Sequence, residues 1–206
     1  MSFDLDVAGI GSMVVDHVHR VPRIAAPGEK VVIDSTTRCP GGVTLNHLAW
    51  ASILGARTGV FGHVGDDEGG RFLREAAESC GVVTHLVADG SAPSSEAHVF
   101  VAEGGERAIY MARGVTADAT PERIRDHHAE FLRRARIVST EVSQLPLPVV
   151  REVLRLAREN GATTVLDLDV PPSDAVPLLG TREELDEILR LADVIKPTLP
   201  AAREVV

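Results

Sequence analysis

The 206-residue chain carries 21 Lys+Arg against 30 Asp+Glu, a net charge of −9, with an apolar share of 44% and a charged share of 25%. Those proportions belong to a globular chain long enough to bury a core, and they exclude a disordered or collagen-like polymer. The acidic balance argues against nucleic acid or an anionic membrane as partner, since both select basic faces, and 3% aromatics leaves little for base stacking.

Cys39 and Cys80 stand far apart without a CxxC or Cys/His metal spacing and read as free thiols. The segment Met1 to Asp6 shows no basic stretch followed by an apolar one, and apolar residues nowhere run to a membrane-spanning length. A soluble, cytoplasmic protein is expected.

In chain order, Asp6 to Gly11 is short, apolar and closed by glycine, which predicts a buried first strand. An irregular stretch to about Pro40 follows, broken by Pro22, Pro27 and Gly28. Inside it the β-branched run Lys30 to Thr36 predicts a paired strand. Gly41-Gly42 opens a helix over Val43 to Leu54, stopped by Gly55. Thr58 to Val64 is a strand, Arg71 to Cys80 a helix ended by Gly81, and Val82 to Val87 a third strand. Glu96 to Glu103 and Glu106 to Arg113, joined at Gly104-Gly105, predict a hairpin inserted among the βα units.

Alternation then resumes. Thr120-Pro121 is an N-cap and first-turn pair. Ala135 to Thr140 is a strand, Leu147 to Asn160 a helix stopped by Gly161, and Thr163 to Asp167 a strand. Thr181-Arg182-Glu183-Glu184 is a capping box, Asp193 to Ile195 a short strand, and a last helix occupies Pro197 to Val206. Repeated βα units imply an α/β fold with a mostly parallel sheet and helices on both faces. The stretches near 14–38 and 96–113 are expected to form one small accessory sheet.

Gly9-Ile10-Gly11-Ser12-Met13-Val14 begins like a dinucleotide fingerprint. Val14 occupies its third small position, however, and Pro22 and Pro27 stand where a helix should cradle the pyrophosphate, so a dehydrogenase is disfavoured. Asp16 lies just past the first strand, where open α/β sheets collect ligands. Gly41-Gly42 allows close backbone approach and the free N–H groups of a helix start, with Asn46 one turn in. Gly65-Asp66-Asp67 with Gly70 reads best as a capping turn. His17 and His19 share one face of a strand, His127-His128 reads as a surface pair, and no metal site is expected from the histidines. Asp167 and Asp169 sit at a strand end on the active edge of the sheet.

This combination resembles the ribokinase/PfkB-type carbohydrate kinases. The matching pieces are Gly11-Ser12 with Asp16, Pro27-Gly28-Glu29, Gly41-Gly42 with Asn46, Gly65-Asp66-Asp67 with Gly70, the hairpin, and Ile195-Lys196-Pro197. The resemblance implies a ribokinase-like fold with a small β lid from strands near 14–38 and 96–113. It implies phosphoryl transfer from ATP with Mg²⁺ to a sugar hydroxyl, a lid that also serves a homodimer, and Asp16, Gly41, Gly42 and Asn46 as substrate ligands. Asp167, Asp169 and Lys196 fall on the phosphate or Mg²⁺ side. Three departures stand out. Val14 replaces a ribose-linked Asn, and Thr198-Leu199-Pro200-Ala201 replaces an Asn-x-x-Glu pattern. The glycine-rich signature ending in the catalytic aspartate (D-T-x-G-A-G-D) does not occur in the 206 residues. The expectation is therefore an incomplete ribokinase-like domain, 1–206, inactive alone, whose base lies after residue 206. The alternative is a non-catalytic sugar-binding paralogue.

Overall fold

The structure, a computed structural model, describes residues 3–205. Short apolar strands alternating with helices build the larger of two sheets, from β1 (Leu5–Gly9), β4 (Thr58–Gly65), β5 (Val83–Asp89), β8 (Ala135–Val142), β9 (Thr163–Leu168) and β10 (Val194–Pro197). All its pairings are parallel, in the order β10-β9-β8-β1-β4-β5. From β1 the chain builds outward to β4 and β5, then returns to β1's other side with β8. The topological switch point thus lies between β1 and β8, where open sheets leave a crevice beyond the strand ends.

Strand alternation divides the core between the two faces. On one face Ala8, Ile10, Phe61, Val138 and Leu166 pack with α3 (Pro121–Leu132), α4 (Leu147–Glu159) and α6 (Arg182–Leu191). On the other, Val60 and Val64 meet Leu45 and Leu48 of α1 (Val43–Ile53) and Leu73 and Ala77 of α2 (Glu68–Ser79). Each fully buried Leu or Phe contributes about 1.5–3 kcal/mol to folding. No helix of the described residues is long and apolar enough to cross a membrane.

The smaller sheet joins β2 (Val14–Val21), β3 (Ser35–Gly41), β6 (Ser95–Ala102) and β7 (Arg107–Ala112) in the order β3-β2-β6-β7. The two departures from βα alternation do form one sheet, through a parallel β2–β6 pairing with Val14 opposite Ser95. The expected strand at Lys30 to Thr36 is displaced, because pairing with β2 starts only at Ser35 opposite Arg20. Val31 and Ile33 instead cover the sheet's outer face, enclosing a cavity of about 170 Å³ with Ile24, Phe100 and Tyr110.

Other differences have local causes. α2 begins at Glu68 rather than Arg71 because Asp67 caps it, accepting from Gly70 N. The capping reading of that turn was correct. A short helix, α5 (Pro172–Leu179), forms in a proline-rich stretch where none was expected; Pro172 in its first turn loses no hydrogen bond, whereas Pro177 inside it lacks the N–H for one. The last helix, α7, spans Leu199–Val205. After β1 the chain enters strand β2 and not a helix, so no dinucleotide cradle exists there.

His127-His128 is not a surface pair. Neighbouring helical residues point about 100° apart, so His127 is exposed while His128 is fully buried, tilted against Phe61, His63 of β4 and His85 of β5. Neither ring nitrogen of His128 has a partner among the described residues. Burial, aided by the neighbouring histidines, lowers its pKa to about 3, and burial beside Arg123 lowers that of His63 to about 4. Asp89, held at about 2 by Ser91 and Arg123, stays ionised throughout this range. The unfolded chain therefore binds protons that the native state refuses. The contribution of these two histidines to stability is full above about pH 6.5 and falls as pH drops toward 4, by up to about 1.4 kcal/mol per pH unit for each, while the raised carboxylates Asp16 and Glu141 act in the opposite direction. Urea midpoints near pH 7 and pH 5 check this, and His128→Leu is expected to flatten the dependence.

Candidate functional site

At the switch point a buried carboxylate ties three segments together. Glu141, near the end of β8, is fully buried. Its Oε1 accepts from Ser12 N at 3.0 Å and Ser12 Oγ at 2.6 Å; its Oε2 accepts from Thr44 N at 3.0 Å and Thr44 Oγ1 at 2.8 Å. Thr44 lies in the first turn of α1, where backbone N–H groups lack helical partners and negative charge is favoured. Burial pushes the Glu141 pKa up against the downward pull of these four donors.

The clamp sets the Gly41-Gly42 turn against the end of β1. Gly42 has φ of 102°, and a Cβ there would lie 1.9 Å from Ser12 O. A Cβ on Gly41 would lie 2.1 Å from Asp16 Oδ2. Gly42 requires glycine both for contact with backbone and for its backbone angle, whereas a side chain at Gly41 would displace the Asp16 carboxylate.

Above this turn the two sheets enclose a cleft of about 360 Å³. Its floor holds Ser12, Gly42, Asn46, Ser143, Gln144 and Asp169, and its roof is the inner face of β2, β6 and β7, including Asp16. Asp16 is half-buried, which pushes its pKa up. Gln144 is almost fully buried; its Nε2 donates to Met111 Sδ at 3.4 Å, leaving Oε1 without a partner among the described residues. Ser143 Oγ donates to Asp169 Oδ2 at 3.3 Å. The cleft thus offers acceptors to a ligand rich in hydroxyls.

The residues predicted from sequence divide into two groups. Asp16, Gly42, Asn46 and Asp169 line the cleft, with Gly41 packed directly behind the Asp16 carboxylate. Asp167 and Lys196 do not line it; they pair with each other on neighbouring strands, Lys196 Nζ donating to Asp167 Oδ2 at 2.9 Å. Asp167 Oδ1 is buried without a partner among the described residues, as is Nε2 of His47, whose Nδ1 donates to Val43 O at 3.1 Å. Thr198, in the departed motif, donates through Oγ1 to Asp169 O, while Ala201 is buried in the core.

Sequence reading missed Glu141, Gln144 and the roof residue Arg107. Glu141 alone left a local signal: a charged residue inside an apolar strand must find partners or pay for its desolvation.

The chain belongs to the PfkB family: the pfkB family carbohydrate kinase description matches residues 4–206. It is 27% identical to the ribokinase of Haemophilus influenzae, over 91% of this chain and 58% of that protein. It is also 27% identical to the 5-dehydro-2-deoxygluconokinase of Geobacillus thermodenitrificans, over 91% of this chain and 61% of that protein. The structure of Arabidopsis thaliana ribokinase complexed with ribose and ATP superposes with a TM-score of 0.70 at 22% identity, over 96% of this chain and 72% of that one. The fold is ribokinase-like. The chain spans between 33% and 61% of the length of these curated relatives and of a bifunctional ribokinase/ribose-5-phosphate isomerase A from Fructilactobacillus sanfranciscensis.

Glu141→Gln replaces a charged acceptor pair by one acceptor and one donor; the hydroxyl on the donor side can turn to accept, which leaves one buried backbone N–H facing the amide without an acceptor. Urea denaturation is expected to show a loss of about 1–3 kcal/mol.

Proposed function

We propose that the cleft holds a sugar or sugar-like substrate for phosphoryl transfer from ATP, and that residues 1–206 are the acceptor-binding part of a sugar kinase. The observation that carries this is the meeting, in one cleft, of the Asp16 carboxylate, the Gly41-Gly42 turn and the unpartnered buried oxygen of Gln144. A half-buried carboxylate with no donor of its own among the described residues suits a pair of substrate hydroxyls.

Mg²⁺ and the nucleotide phosphates fit the other end of the site. Asp169 on the cleft rim, Asp167 with its free buried Oδ1, and Lys196 are the residues that would hold them. The ion, when bound, neutralises charge on the transferring group, and catalysis otherwise rests on positioning. The smaller sheet would act as a lid that excludes water. Its outer face, with Phe100 and the exposed Tyr110 beside an apolar cavity, supports a homodimer formed through the lid. The general base that takes the hydroxyl proton is assigned outside these 206 residues. Exposed Trp50 and Ile53 on α1 with Leu54 just after it, and exposed Val194 and Ile195 on the edge strand β10, suit packing against further polypeptide.

A non-catalytic sugar-binding protein is the second reading, favoured by Ala201 lying buried in the core at a motif position expected to be acidic. A Gly-Ala-Gly-Asp run encoded downstream supports the kinase; a stop codon supports the binding protein.

Calorimetric titration of purified residues 1–206 is expected to show weak sugar binding. Asp16→Ala should weaken it about tenfold or more, the value of a charge-assisted hydrogen bond. A coupled ATPase and sugar-phosphate assay should detect no turnover. Robust ATP-dependent phosphorylation of a sugar by this chain would overturn the assignment of the base elsewhere.

A further inference from the structure

The roof of the cleft is graded along its strands. On the inner face, Asp16, Ala97 and Met111 form one cross-strand row, Val18, Val99 and Ile109 the next, and Arg20, Val101 and Arg107 the third. Residues of one parity share a face, so an acidic row, an apolar row and a row with two cations follow one another over the same surface. Arg107 lines the cleft itself. Neither Arg20 nor Arg107 has a carboxylate within ion-pair distance among the described residues, in a chain where most arginines of the larger sheet's helices do. The two cations flank a single strand, so their Cα atoms lie about 10 Å apart.

We propose that the substrate is an anionic sugar, its hydroxyls held at the Asp16 end of the cleft and its anionic group met by Arg107, with Arg20 adding to the field. The inference rests on the reading of the cleft as a sugar site and narrows it to a substrate class. The dimensions agree. Arg107 and Met111 are four steps apart along the strand, about 13 Å. An extended arginine side chain is long enough to cover part of that distance when it turns toward Asp16. A six-carbon chain, with bonds of about 1.5 Å each, fills roughly the remaining 6 Å. A carboxylate there would accept the two parallel N–H bonds that a guanidinium fork presents, an arrangement that lysine or a neutral side chain cannot supply. The apolar row between the charged ones would face the carbon chain, and it holds the anion away from Asp16. Without an anionic ligand, the unpaired guanidinium and the Asp16 carboxylate occupy opposite ends of one cleft with nothing to link them.

Titration calorimetry on residues 1–206 with D-ribose, D-gluconate, 5-dehydro-2-deoxy-D-gluconate and D-ribose 5-phosphate tests this. At least one acid or phosphate is expected to bind about tenfold or more tightly than D-ribose. Arg107→Gln should remove about that factor for the anion while changing D-ribose less than twofold, since a factor of ten corresponds to about 1.4 kcal/mol. Loss of affinity for the acids identifies a carboxylate as the recognised group; loss for D-ribose 5-phosphate alone identifies a phosphate. Arg107 is exposed, so the variant should keep the parent urea midpoint, and Arg20→Gln provides a second, smaller loss. Equal affinity for neutral and anionic sugars, or an Arg107→Gln variant that retains the anion, overturns the inference while D-ribose binding upholds the sugar site. Failure of every ligand to bind the natively folded chain overturns both.

Discussion

One buried carboxylate holds the cleft's floor together. Glu141 has been taken wholly out of water, an arrangement costly enough that four donors converge on it from two other segments. Ser12 ends the run out of β1, and Thr44 begins α1. Joining both to β8 makes the end of β1, the start of α1 and the end of β8 a single rigid unit. The Gly41-Gly42 turn approaches the backbone of Ser12 so closely that a methyl group would not fit between them. The direction in which the chain leaves for the smaller sheet, and hence the place of Asp16, follows from that packing.

The two sheets differ in how firmly they are built. The larger one is covered on both faces, by α3, α4 and α6 on one side and α1 and α2 on the other. The smaller one exposes Ile109, Tyr110 and Met111 on β7, and Val32 and Ile33 in the connection from β2 to β3 are exposed as well. An element with so little buried apolar area opens at a lower free energy than the sheet beneath it. Its base is nevertheless anchored: Asp67 caps α2 and accepts from both N and Oγ of Ser94, the residue before β6.

The charged groups of the site are also sorted by location. Asp16 and Asp169 face the cleft, whereas Asp167 and Lys196 neutralise each other on β9 and β10 with His47 close enough to feel both charges. In a chain with a net charge of −9, two cations, Arg20 and Arg107, stand on the inner face of the smaller sheet with no ion-pair partner among the described residues. Local charge placement and overall charge carry separate information.

Amino-acid order by itself determined whatever is satisfied within a few residues. The βα alternation, the Thr120-Pro121 start of α3, the capping box at Thr181 and Glu184 and the cap at Asp67 were legible because each donor meets its acceptor three residues away. The motif glycines and Asp16 were legible through their order along the chain. Only the tertiary structure decided the rest. Glu141 meets Ser12 across 129 positions and Thr44 across 97. His128 finds His63 and His85 because helix α3 packs on β4 and β5. The parallel pairing of β2 with β6 aligns Arg20 with Arg107 through Val101. A one-residue slip of β2 in that register would turn Asp16, Val18 and Arg20 to the outer face. Register is set by long-range packing, and no local run of residues contains it.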